Sequence, residues 1–294
     1  MSIDRRALLK GLAGFSAMAA GGPANASEAA RIVSLDYAAA ETLISLGLPP
    51  VGVQSADRWN RWVVEPPLPS SVVNIGQDLV VNLEVVASLA PDLIITTPYT
   101  DTIRNRLEQF APVYMVSVYD ESGAPLANAY RETRALARLA GIEADAETYL
   151  EAADREFHAM HDRLAAKEPA PVSLVNFMDQ RHVRVYGASS LYQDVLTRIG
   201  VVNAWNQPTN YWGFATVGLE ELARYAPRNM HLIAFEPILD EIKPTLAASP
   251  IWRTMPVVEN DNFDVFPPVL TFGMVPSALR FARLITNYLE RANA

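Results

Sequence analysis

The stretch 144–167, ADAETYLEAADREFHAMHDRLAAK, contains neither glycine nor proline and lies near the middle of the chain. Leu150, Ala153, Phe157, Met160 and Leu164 recur at steps of three and four, which makes one apolar stripe on a helix. Glu147, Glu151, Asp154, Arg155, His158 and Asp162 fall off that stripe, and Glu151 and Arg155 are spaced to pair on the solvent side. At 1.5 Å per residue such a helix is roughly 36 Å long, enough to cross a whole domain. With similar material on both sides, it is read as a rigid strut joining two lobes. The competing reading is a long amphipathic helix inside a single domain.

The flanks supply what a strut would join. Residues 31–35 read as a short buried strand, and Asp36 as the N-cap of a helix over 37–46 that Gly47 stops. Further strands are predicted at 51–53, 72–75, 93–96 and 113–118, with a short helix over 83–89 capped by Asn82 and closed by Pro91. After the strut, strands are predicted at 172–177, 183–186, 231–235 and 263–266, and helices at 190–199, 219–225 and 277–291. This alternation indicates parallel sheets with helices on their faces. Two echoes relate the halves: ETLISLGL (41–48) with DVLTRIGV (194–201), and NLEVVASLAP (82–91) with GLEELARYAP (218–227). They occur in the same order on each side of the strut. The expected architecture is therefore α/β, two Rossmann-like lobes at 27–143 and 168–294 joined by a single long helix at 144–167, with a ligand cleft between them.

Residues 1–26 are read as a signal peptide rather than fold. Arg5-Arg6 gives a twin-arginine pattern, an apolar stretch follows over 11–20, and Ala24-Asn25-Ala26 is an A-x-A cleavage signature. Export by the Sec route stays open, because Ala7-Leu8 departs from the usual twin-arginine consensus. Loss of Asp4, Arg5, Arg6 and Lys10 would carry the net charge from −9 to −11. An acidic surface argues against nucleic acid and anionic membranes as partners. The chain has no cysteine, which excludes thiolate chemistry and disulfides.

No catalytic signature stands out. There is no nucleophile elbow, P-loop or glycine-rich dinucleotide fingerprint. His158 and His161 are three apart on the strut beside Asp162; they read as solvated helix residues, with a metal site as the minor alternative. His182 is placed at a hairpin and His231 at the start of a strand. The unusual feature is aromatic residues in loops: Trp59, Trp62, Tyr99, Trp205, Tyr211, Trp212 and Phe272. Such rings either plug loop ends against the core or offer large, stiff contact faces to an amphipathic ligand.

The segments RWVVEPPLP (61–69), NLE (82–84), VYG (185–187) with Ser190-Leu191, NAW (203–205) and TNYWG (209–213) resemble the periplasmic ferric hydroxamate siderophore-binding proteins of ABC importers, the ferrichrome-binding type. The resemblance covers nearly the whole mature chain. It implies the helical-backbone periplasmic binding protein fold, little closure on binding, and no enzymatic activity or cofactor of its own. It also implies a ferric siderophore as ligand and an inner-membrane permease as partner, with the protein monomeric in the periplasm. Trp62 and Trp212 match positions lining the family's cleft, and Tyr99 lies one residue from a ligand-contacting tyrosine. Phe272 stands where tyrosine is typical, and Leu270 replaces a bulky aromatic. Asp78 stands where the family has an arginine that donates to the iron-bound oxygens. Either Arg58 or Arg61 takes over, or the ligand differs, with a cationic tail that Asp78 would attract. Tyr211 completes the expected contact set. By position, Glu108, Glu220 and Glu221 are candidates for docking to the permease. The same scaffold carrying haem, a corrinoid or another iron chelate is the alternative cargo.

Overall fold

The computed structural model describes residues 30–78 and 80–292, so the expected leader over 1–26 lies outside the described residues. The first half builds β1 (Ile32–Ser34), α1 (Tyr37–Ser45), β2 (Gly52–Val53), α2 (Trp59–Trp62), β3 (Val73–Asn74), a short hairpin of β4 (Gly76–Gln77) and β5 (Val80–Val81), α3 (Leu83–Ser88), β6 (Leu93–Thr96), α4 (Arg104–Leu107) and β7 (Val113–Met115). Its sheet has the order β3-β2-β1-β6-β7, with every neighbouring pair parallel. The central strands β1 and β6 are buried along their whole length, as strands covered on both faces must be. The expected caps form. Asp36 accepts from the Ala39 amide at 2.8 Å, and Asn82 accepts from the amides of Glu84 and Val85 at 3.1 and 3.2 Å.

Two long helices follow, α5 (Pro125–Ala140) and α6 (Glu143–Ala165). The strut is α6, one residue earlier at its start and two earlier at its end than expected. Its buried side chains are Ala146, Leu150, Ala153, Phe157, Met160 and Leu164, the stripe read from the sequence with one more turn. Helix α5 is not among the elements expected from the sequence, and Gly141, at φ 71°, makes the left-handed turn between the two.

The second half builds β8 (Val172–Phe177), β9 (His182–Tyr186), α7 (Leu191–Arg198), β10 (Phe214–Gly218), α8 (Leu219–Tyr225), β11 (His231–Phe235), α9 (Ile242–Ala248), α10 (Pro250–Arg253), α11 (Pro256–Glu259), β12 (Phe263–Phe266) and the C-terminal α12 (Val275–Ala292). Its sheet order, β10-β9-β8-β11-β12, repeats the first sheet's pattern: the first strand is central, the next two lie on one side and the last two on the other. The echoes seen in sequence fall on matching helices, α1 with α7 and α3 with α8. The expectation of a parallel sheet needs correction here, because β8, β9 and β10 pair antiparallel. For β8 and β9 the cause is a tight turn after β8, where the Asp179 carboxylate accepts from the amides of Arg181 and His182 at 2.7 and 2.8 Å. So short a connection leaves no room for the crossover that parallel pairing requires.

One apolar core runs through both halves. It includes Leu43 of α1, Leu136 of α5, Phe157 of α6, Leu196 of α7 and Phe281 of α12. The chain crosses once between the sheets, but the packing between them is a layer of helices. Helix α12 lies against α6 and α7 and also reaches back to α1 and α5. At that contact Ser277 Oγ lies 2.6 and 2.8 Å from the two oxygens of the Glu41 carboxyl, within hydrogen-bond distance of both, and the Met274 amide donates at 3.2 Å. Glu41 is fully buried, and desolvation pushes its pKa up to about 8 despite these donors. Asp194 of α7 accepts from the Leu126 amide at 2.9 Å and so caps α5 from the other half.

Candidate functional site

In the first sheet the residues that matter follow the C-terminal ends of the strands, where open α/β sheets present their ligand sites. Asp36 and Tyr37 follow β1, Gln54 and Ser55 follow β2, Asp78 lies in the β4–β5 turn, Thr97 to Tyr99 follow β6, and Val116 to Tyr119 follow β7. The second half contributes Trp212, from the loop before β10, and Leu270 and Phe272, from the loop between β12 and α12. Together they line two adjoining compartments that share Asp36 and Tyr37.

The aromatic compartment, about 210 Å³, is lined by Thr97, Tyr99, Val116, Val118, Tyr119, Trp212, Leu270 and Phe272 with the shared pair. Tyr99 sits at a turn closed by the Thr100 amide donating to Thr97 O at 3.0 Å, and it is 63% exposed. It faces Trp212 with ring centroids 5.5 Å apart and planes 30° apart. Trp212 also meets Phe272 at 5.8 Å and Tyr119 at 5.7 Å, and Tyr119 meets Phe272 edge-on at 5.4 Å. Four rings drawn from both halves thus form one wall. Tyr119 ties that wall together. Its hydroxyl donates to Thr271 O at 3.0 Å, and its backbone oxygen accepts from the Tyr211 hydroxyl at 2.5 Å. Burial pushes the Tyr119 phenol well above its ordinary pKa. Sequence reasoning misses this residue. Its only local signal is an aromatic just past a strand end, and its partners are about 90 to 150 positions away.

The polar compartment, about 350 Å³, is lined by Asp36, Tyr37, Gln54, Ser55, Arg58, Trp62, Asp78 and Thr100 together with Leu35. A 3-10 turn, Ala56–Arg58, runs into α2, which carries Trp59 and Trp62 at its two ends. Trp59 is buried, donates from Nε1 to Pro66 O at 2.8 Å and meets Tyr37 edge-on at 5.7 Å. Trp62 is 39% exposed and faces the compartment. Arg58 forms an ion pair with Asp78. Desolvation lifts the Asp36 pKa to about 6, against the lowering pull of the helix amides it caps. Taken together the compartments have the size of a small-molecule site, roughly 300–1,000 Å³.

Of the eight residues singled out in the sequence, six line this cleft: Arg58, Trp62, Asp78, Tyr99, Trp212 and Phe272. Arg61 and Tyr211 do not. The Arg61 guanidinium lies over the Trp62 ring, 5.3 Å from its centroid, and Tyr211 backs Trp212 edge-on at 5.0 Å. Trp59 and Trp205, also noted as loop aromatics, are core residues. The Asp78 carboxylate is already matched by Arg58, which removes the motive for a cationic ligand tail. His182 pairs with Asp179 at 2.9 Å at the hairpin, and His231 meets the Tyr288 hydroxyl at 2.8 Å. Burial lowers the His231 pKa. Among the described residues, no three histidine, aspartate or glutamate side chains converge as a metal set, and His161 meets only Asp162, at 3.4 Å.

Residues 32–270 match the periplasmic binding protein family. The chain is 31% identical over 257 residues to the iron(3+)-hydroxamate-binding protein FhuD of Escherichia coli, across 87% of this chain and 86% of that one. It superposes on the crystal structure of the Fe3+–Desferal-bound siderophore-binding protein FhuD from Vibrio cholerae with a TM-score of 0.83 and 30% identity, covering 91% of this chain and all of that one. The structure of FhuD2 from Staphylococcus aureus with bound ferrioxamine B shares the fold, with a TM-score of 0.68 at 20% identity over 90% of this chain and all of that one.

Proposed function

The chain belongs to the periplasmic binding protein family, and on that premise we propose that it captures an iron(III)-hydroxamate siderophore and delivers it to an inner-membrane ABC permease. The observation that carries this reading is the wall of Tyr99, Tyr119, Trp212 and Phe272, which takes rings from both halves of the chain and faces a compartment with hydrogen-bonding groups. A ferric trihydroxamate is bulky and amphipathic, with hydrocarbon spacers and an oxygen-rich metal centre. Its iron is already fully ligated, so recognition falls on rings and hydrogen-bond donors. The 31% identical relative named for iron(3+)-hydroxamate binding supports the same cargo.

In this proposal Trp62, Tyr99, Trp212, Phe272 and Arg58 touch the ligand, Asp78 lines the cleft beside Arg58, and Arg61 and Tyr211 support the rings from behind. The protein is a monomer with no reaction of its own. The units 27–143 and 168–294 flank the linking helix, and the interlocked layer of α1, α5, α6, α7 and α12 limits their relative movement. The exposed Glu108, Glu220 and Glu221 are candidates for meeting basic groups on the permease. Residues 1–26 direct twin-arginine export and are removed after Ala26. Replacing Arg5-Arg6 with two lysines would leave the uncleaved protein in the cytoplasm, and normal export of that variant would rule the route out. Among the described residues no helix is long and apolar enough to cross a membrane.

The test is intrinsic tryptophan fluorescence of the protein starting at Ser27, titrated with ferric hydroxamates and, as controls, haem and cobalamin. Saturable quenching by a hydroxamate at one site per chain is expected. Saturation by haem or cobalamin alone would overturn the cargo and leave the scaffold.

A further inference from the structure

Among the described residues lining the two compartments, Arg58 is the only cation. Its guanidinium is paired with Asp78, and Asp78 is itself held in place. The Asp78 amide donates to Ser55 Oγ at 2.8 Å, and its carbonyl accepts from the Gln54 side chain. Ser55 is fixed in turn by its own amide on Gly76 O at 2.8 Å and by the Tyr37 hydroxyl donating to its carbonyl at 2.7 Å. Ser55 and Asp78 both take the left-handed backbone conformation, at φ 52° and 50°. The turn after β2 and the turn of the β4–β5 hairpin are therefore locked together, and the ion pair spans them.

This pair does little for stability. Its side chains are 45% and 67% exposed, and exposed pairs contribute little because water and salt screen them. It does set the direction of a five-donor fork. One guanidinium nitrogen meets Asp78, which leaves donors free toward the compartment. An ionised carboxylate cannot itself donate to a ligand oxygen, and Arg58 is the one charged donor among the described lining residues, beside the neutral donors of Gln54, Trp62 and Thr100.

We propose that Arg58, oriented by Asp78, donates hydrogen bonds to the negatively polarised metal-bound oxygens of the chelate. The oxygen-rich metal centre then sits over the polar compartment, and the hydrocarbon spacers lie against Trp212 and Phe272. Arg58 is the contact residue and Asp78 the positioning residue. This rests on the hydroxamate reading above. It predicts a preference for chelates that expose anionic oxygens along one edge, whether or not they carry a cationic tail.

The experiment measures the Kd of one neutral and one cationic-tailed ferric trihydroxamate for the mature protein, Arg58→Gln, Asp78→Asn, the double variant and Trp212→Ala, with the Tm of each. Arg58→Gln is expected to weaken both chelates about 10- to 100-fold, as loss of a hydrogen bond from a charged donor should. Asp78→Asn should cost less than that, and the double variant should bind no worse than Arg58→Gln alone. All Tm values should lie close to that of the parent. A role confined to structure would move Tm instead and is thereby refuted or established. Unchanged binding in Arg58→Gln, with Trp212→Ala still harmful, would overturn this inference and leave the cleft assignment standing. Selective loss of the cationic chelate in Asp78→Asn would overturn it in favour of direct attraction by Asp78. Failure of the parent protein to bind either chelate would overturn both readings.

Discussion

Replacing Glu41 with glutamine should remove most of the pH dependence of this protein's stability in the alkaline direction. Glu41 is fully buried on α1 against Ser277 and Met274, and its pKa rises from 4.5 to about 8, chiefly through desolvation. A carboxyl whose folded pKa exceeds its unfolded value binds its proton more tightly in the native state. Stability is then at its fullest below pH ~4.5 and falls as the pH rises toward ~8. Each tenfold gain in proton affinity is worth about 1.4 kcal/mol, so the loss approaches about 5 kcal/mol at most. Glutamine keeps the shape: its carbonyl can accept from the Met274 amide and its amide can donate to Ser277 Oγ. At pH ~5 the two proteins should differ by about 1 kcal/mol or less, and at pH ~8.5 Glu41→Gln should be the more stable by several kcal/mol. For a chain of this size that is a Tm difference of roughly 10–20 °C. Asp36, raised from 3.8 to about 6 by burial, gives a slope of the same sign at lower pH, but it is present in both proteins. Urea titrations from pH 4 to 9 measure the difference. Parallel stability profiles for the two proteins would show that Glu41 is ionised in the fold at neutral pH, and the reasoning would fail.

Trp212→Ala removes a ring that contacts Tyr99, Tyr119, Tyr211 and Phe272, and should weaken ferric hydroxamate binding by about 1.5–3 kcal/mol in a fluorescence or calorimetric titration. Tyr119→Phe deletes the hydroxyl that donates to Thr271 O, and should cost about 1–2 kcal/mol in denaturant unfolding while lowering affinity through the loosened Phe272 loop. Arg155→Ala, which breaks a 3.8 Å pair between two largely exposed side chains on α6, should change stability by under about 0.5 kcal/mol. Phe157→Ala on the opposite face of that helix should cost about 3–5 kcal/mol, because the ring is fully buried in the core shared by both halves.

The elements legible in the sequence are those whose signal is local. Asp36 and Asn82 cap the helices they precede, and the five stripe residues of α6 are buried as their spacing requires. Helix α5 also carries a local signal, since Leu126, Ala129, Tyr130, Leu136 and Ala137 recur at helical spacing between Pro125 and Gly141, but its buried face includes Asn128, Glu132 and Thr133, which blur the stripe. Strand β10 escapes although Phe214, Thr216 and Val217 favour a strand, because five residues are too short a run to stand out after the Pro- and Asn-rich loop that precedes them. At the site, aromatics in loops are visible as a class, but sorting them needs three dimensions. Trp59 and Trp62 are three residues apart on α2, yet one is buried in the core and the other is exposed in the cleft, a difference set by the surrounding packing and not by their spacing. The same limit applies to Asp78, whose substitution for an expected arginine makes sense only with Arg58 opposite it.

The most direct measurement is anomalous diffraction from crystals of the mature protein grown with a ferric trihydroxamate. The account predicts one iron peak per chain between the Arg58–Asp78 pair and the Trp212 ring, with no protein atom in the iron's coordination sphere. An iron peak elsewhere, at His158 and His161 for example, or iron ligated directly by a side chain, would contradict it.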